Sequence, residues 1–298
     1  MLFVFGLIFS ILTCLPSLAA QVEQRARDSA DKETRMKSII LDSMYLRGTW
    51  GSIHAAETAI SLGLKQQACE AFRDQAETDT VGYRIGVWRV LAVAEEDTSS
   101  RATFTDSILN VFRDPTSKDR IHAIEAIAKL RLILNADDLA RMEQLAEQAD
   151  FSGRPFVLWC LLNNKQMERR DAIFSQLTNH DEVVRLRAAY IARQLRPYSA
   201  SEKAALEDAL TVESTSTLAW PYLAVALDRM DLLAKSDSPT ARKLAADCLK
   251  TTGSRATLDE LEALTKDPDV GLRIAAAAAW LQIAASTHQG REKKVVAQ

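Results

Sequence analysis

One pattern recurs along most of this sequence: an amphipathic stretch, a short turn marked by Asp, Asn or Pro, and a second stretch rich in alanine. It is plainest near the C-terminus. There Leu258-Asp-Glu-Leu-Glu-Ala-Leu-Thr-Lys leads through Asp267-Pro268-Asp269 into Val270-Gly-Leu-Arg-Ile-Ala-Ala-Ala-Ala-Ala-Trp-Leu281. Residues 172–192 and 108–128 carry the same arrangement. Apolar positions three and four apart indicate helices, so each unit reads as helix, turn, helix. Such a unit cannot bury its own apolar face, and stacked neighbours complete the core. The expected fold class is all-α.

Composition agrees. Only 10 Gly and 7 Pro occur among 298 residues, about half of what an average composition supplies. A sandwich, a barrel or a doubly wound α/β fold needs many more marked turns. No G-x-G-x-x-G, G-x-x-x-x-G-K-[ST] or G-x-S-x-G motif is present, which removes the usual sequence signs of a phosphate loop or a nucleophile elbow. Pro115, Pro197, Pro239 and Pro268 fall between helices, where a missing N–H does no harm. Alignment of the second helices puts His54, Arg84, His122, Arg187 and Arg273 in one column, with degenerate copies around Arg154-Pro155, Trp220-Pro221 and Pro239 between them.

The residues resemble the HEAT-repeat family of helical solenoids, in its exported bacterial type. The resemblance is carried by Asp267-Pro-Asp-Val270, by Val184-Arg185-Leu-Arg-Ala-Ala and by the Asp114-Pro115 turn. It implies a right-handed α-solenoid of about seven to eight helix pairs over residues 48–286. The arginine usual in that family matches Arg120 and Arg185, whereas Ser52, Gly82 and Gly271 stand in its place in other copies.

The ends differ from the body. Residues 1–20 hold no charged side chain, fifteen apolar residues, a helix-breaking Pro16 and the small pair Ala19 and Ala20, as in a cleaved export signal. The alternatives are an uncleaved N-terminal membrane anchor and a lipid attached at Cys14. Residues 21–47 read as a solvated linker followed by a capping helix, and residues 287–298 as a flexible tail. The expected location is the periplasm or the exterior. Cys69, Cys160 and Cys248 remain after removal of Cys14; they read as thiols buried in helices, with any pairing left open. With 37 Lys and Arg against 40 Asp and Glu, the chain lacks the basic excess of a nucleic-acid binder.

The candidate site lies where aromatic and charged residues cluster. Trp50, His54 and Glu57 are spaced to line one helix face, as are Arg84 and Trp88 within Tyr83-Arg84-Ile-Gly-Val-Trp88-Arg89. Trp50, His54, Glu57, Tyr83, Arg84, Trp88 and Arg89 are therefore the expected ligand-binding set, with aromatic faces to stack on a sugar and charges to orient it. The same segments resemble HEAT-type modules of bacterial envelope proteins and of sodium:solute symporters, which implies an envelope setting and a small organic solute. Two functions follow. The first is an exported binding or scaffold protein with a groove for an envelope protein, a carbohydrate or another small polar ligand. The alternative is a small periplasmic enzyme acting on a sugar or related metabolite, with His54 and Glu57 as its acid and base and Arg84 stabilising negative charge. No cofactor is expected. His122-Ala-x-Glu125 repeats His54-Ala-x-Glu57, but two repeats of separation, roughly 16 to 20 Å, place the pairs too far apart to share a metal. Arg185, Arg187 and Arg193 beside Asp181 and Glu182 read as a solvated, ion-paired face.

Overall fold

The computed structural model describes residues 15–233 and 236–296, so the export-signal reading falls outside the described residues up to Cys14. The described chain is all-helical, without strands. In order, the helices are α1 (Leu15–Met44), α2 (Trp50–Ser61), α3 (Lys65–Phe72), α4 (Tyr83–Ala94), α5 (Thr98–Arg113), α6 (Arg120–Leu130), α7 (Ala136–Ala146) and α8 (Arg154–Asn163). They continue as α9 (Arg169–Ser175), α10 (Glu182–Ala192), α11 (Ala200–Val212), α12 (Trp220–Ala226), α13 (Met230–Leu233), α14 (Pro239–Thr252), α15 (Leu258–Leu264) and α16 (Val270–Val296). Among the described residues no helix is long and apolar enough to cross a membrane.

The even-numbered helices form an inner layer in which each packs on the next, from α2 through α16. Alanines make this possible. Ala55, Ala56 and Ala59 on α2, Ala123 and Ala126 on α6, Ala188, Ala189 and Ala192 on α10, and the run 275–279 on α16 are all buried, and small side chains let neighbouring axes approach. The inner layer then closes: α16 packs against both α1 and α2. One hydrophobic cluster joins Met36, Ile40 and Met44 of α1 and Ile53 of α2 to Leu261 of α15 and Leu272 of α16. Outside this seam Glu262 pairs with Lys32 at 2.8 Å and Arg35 at 2.5 Å.

The inner helices also share one direction. A Cβ on Gly51 would lie 3.6 Å from Val270, one on Gly82 would touch Trp50 and His122, and one on Gly153 would touch Ile121, all of them at helix starts. Arg187 reaches the Ser152 carbonyl, and Glu182 accepts from the Leu218 amide. The N-terminal ends of α2, α4, α6, α8, α10, α12 and α16 thus gather at one face of the ring. Caps define those starts: Thr49 accepts from the Ser52 amide and Asp181 from the Val183 amide.

Three expectations need correction. Residues 21–47 hold no separate linker, because α1 runs unbroken to Met44. No Gly or Pro interrupts residues 17–47, and pairs four apart support the helix, with Gln24 bonded to Asp28 and Lys37 to Glu33. Residues 287–296 of the segment expected to be a tail are helical and belong to α16, which continues to Val296. Finally, the aligned column is out of register. Arg185 donates to the Asn179 and His180 carbonyls, and Arg273 donates to those of Asp267 and Pro268. Arg185, not Arg187, is therefore the counterpart of Arg273, each closing the turn before its helix.

Candidate ligand cavity

A cavity of about 550 Å³ occupies the middle of the ring. On one side α2 presents Trp50, His54 and Glu57, four and then three residues apart and so on one face. Trp50 keeps 40% of its surface open. Its ring lies 6.4 Å from that of His54 and 5.4 Å from that of His122 on α6. Gly82 permits this approach: it is the N-cap residue before α4, at φ 76°, and a Cβ there would stand 3.2 Å from His122 Nε2.

Glu57 is the electrostatic centre of this wall. It accepts from Arg89 Nε at 2.8 Å and lies 3.2 Å from His54 Nδ1. Burial by itself would raise its pKa, but the Arg89 guanidinium, the His54 hydrogen bond and nearby Lys129 outweigh it and hold the carboxyl well below the usual range. Glu57 is thus a fixed carboxylate at neutral pH and not a proton donor. On α6, Glu125 pairs with Lys129 at 2.7 Å. Burial opposes ionisation of Glu125 as well, and Lys129 and Arg89 overcome it. Burial pushes the His122 imidazole down, leaving it neutral at pH 7, and its Nδ1 has no partner.

The far wall comes from α8, α10 and α12. Phe156, Tyr190 and Tyr222 meet edge to face, with Tyr190 6.4 Å from Phe156 and 5.8 Å from Tyr222. The Arg193 guanidinium lies over both tyrosines, 4.9 Å from Tyr190 and 5.2 Å from Tyr222, and Arg187 lies over Phe156. Between the walls α14 contributes Lys243, Asp247 and Lys250, the last two paired at 2.8 Å, and α16 contributes Gly271, Ile274 and Ala275.

The expected site residues divide. Trp50, His54 and Glu57 line the cavity, and buried Arg89 stands behind Glu57. Tyr83 does not reach it: its hydroxyl donates to Gln75 at 2.8 Å and meets Ser52 in the core. Arg84 is drawn instead to fully buried Asp119 and covers Trp88, whose indole donates to the Ala76 carbonyl. The arginine stripe also separates. Arg185 pairs with nearly buried Glu213 and not with Asp181 or Glu182 on a solvated face, while Arg187 and Arg193 turn inward.

Sequence reading missed Lys129, Tyr190, Tyr222 and Lys243 as lining residues. Its spacing estimate kept the two His-Ala-x-Glu motifs apart, yet both open onto one cavity because the ring curves α6 back toward α2. The repeated motif was the available signal. Among the described residues no group of three or more His, Cys, Asp or Glu is placed to hold a metal ion. Cys69 and Cys160 are buried, Cys248 is half-buried, and all three are free. The chain matches no protein-family model and no curated protein.

Proposed function

We propose that this is an exported binding protein whose cavity takes a small, polar, ring-shaped ligand of the carbohydrate class. In this reading the helices form HEAT-like pairs, eight if taken as α1–α2 through α15–α16, in a solenoid whose ends have met. The observation that carries the proposal is the interior itself. Where an all-α domain of this size ordinarily packs a hydrophobic centre, this ring holds about 550 Å³ of space bordered by Trp50, Tyr190, Tyr222 and paired charges. That volume lies inside the roughly 300–1,000 Å³ typical of small-molecule sites. It favours a small ligand over a folded protein partner, the other class open from the sequence. An exposed indole face stacks on sugar rings, half-buried phenols border it, and fixed carboxylates accept from hydroxyls.

A purely acid–base use of His54 and Glu57 is disfavoured by Arg89, which keeps Glu57 ionised. Residues 1–20 support export, and near-neutral composition argues against a nucleic-acid partner. The test is a thermal-shift screen of the mature protein against neutral sugars, sugar acids and sugar phosphates. A saturable stabilisation that disappears in Trp50→Ala and Tyr222→Ala supports the reading. Stabilisation that survives both substitutions, or none with any sugar, overturns it.

A further inference from the structure

Five basic side chains and three acidic ones line the cavity. Each acid already has a base: Glu57 has Arg89, Glu125 has Lys129 and Asp247 has Lys250. Three cations are left without a carboxylate. Among the described residues Arg187 donates only to the Ser152 carbonyl, at 2.6 Å, and Lys243, on the cavity lining, has no hydrogen-bond or ion-pair partner. Arg193 is the most unusual: its guanidinium lies against two tyrosine rings, its side chain donates no hydrogen bond among the described residues, and its buried Nε has no partner there. A guanidinium held flat by aromatic faces keeps its planar fork of donors for another group. Leaving the buried Nε unmet is costly, and a surplus of positive charge attracts an anion.

We infer that the ligand carries an anionic group, a carboxylate or a phosphate, that is held by Arg193 with Lys243 and Arg187 around it. The inference rests on the carbohydrate reading and deepens it: the ligand is a sugar acid or sugar phosphate, with its ring toward Trp50 and its charge toward Arg193. The acidic residues do not oppose this, since each is neutralised by its own base.

Titration calorimetry with galacturonate, glucose 6-phosphate, their neutral parents galactose and glucose, and inorganic phosphate tests the inference. We expect an acidic sugar to bind about tenfold or more tighter than its parent, the gain of one or two charge-assisted hydrogen bonds. The preference should vanish in Arg193→Gln, shrink in Arg193→Lys, which keeps charge but loses the fork, and fall in Lys243→Gln. Arg193→Gln breaks no hydrogen bond to the protein, and Lys243→Gln supplies an independent variant should it misfold. Equal binding of acidic and neutral sugars overturns the inference while leaving the carbohydrate reading intact. Binding of inorganic phosphate without any sugar keeps the anion subsite and overturns the carbohydrate reading. Binding of none of the five overturns both.

Discussion

Arg89 and Glu57 show how a buried charge is tolerated beside an open cavity. Arg89 is only 4% exposed, so it depends on Glu57, while Glu57 keeps 34% of its side chain open to the cavity. Arg89→Ala would strand the carboxylate and cost about 2–4 kcal/mol, toward the lower side for a buried pair because the open part of Glu57 can be solvated. Urea unfolding checks this. Acid acts on the same group. Glu57 and Glu125 titrate lower in the folded protein than in the free amino acid, so on acidification the unfolded chain takes up protons first. Their contribution is complete above about pH 5 and drains away as pH falls through the folded-state values. His122 adds an earlier decline that begins near pH 6.5, since burial lowers its pKa and its protonation favours the unfolded chain. Urea midpoints measured from pH 7.5 to 3.5 should fall steadily, and Glu57→Gln should flatten the acidic part of the slope. At this level the sequence was half legible. Trp50, His54 and Glu57 share a face by spacing alone, but Arg84 has an acid available across the turn at Asp119, 35 residues away, which no local pattern announces.

Helix pairing depends on residues chosen for their smallness. Gly86 on α4 faces Ile53 on α2 so closely that a Cβ would lie 2.9 Å from two of its carbons. Gly86→Val should therefore cost about 1–3 kcal/mol by overpacking, and Ile53→Ala should recover part of that loss in the double variant. Additive destabilisation, read from denaturant midpoints, would mean that the two helices do not meet there. Elements of this kind were legible: alanine faces, turn prolines and capping residues all act within a few residues of one another. The register between pairs was not. Aligning Arg187 with Arg273 satisfied the apolar pattern, and only the carbonyls that Arg185 and Arg273 grip, five and six residues back, identify the equivalent positions.

The cavity belongs to the whole chain, since its walls come from helices as distant as α2 and α16. Closure depends on how each inner helix is angled against the next, and this is why Tyr190, Tyr222 and Lys243 could not be assigned to one site from sequence. The cavity, its charge surplus and the ligand class proposed for it all require that the first and last inner helices meet. Gly51 on α2 and Val270 on α16 lie at that meeting point, with the Gly51 Cβ position 3.6 Å from Val270 Cγ1, within reach of a disulfide. In the Gly51→Cys, Val270→Cys double variant, oxidation of the folded monomer should link residues 51 and 270 within one molecule, identified by peptide mass mapping, with the helical circular-dichroism signal unchanged. Cysteines that stay reduced in the folded monomer, or that link only between molecules, would mean that the array is open and that the cavity does not exist.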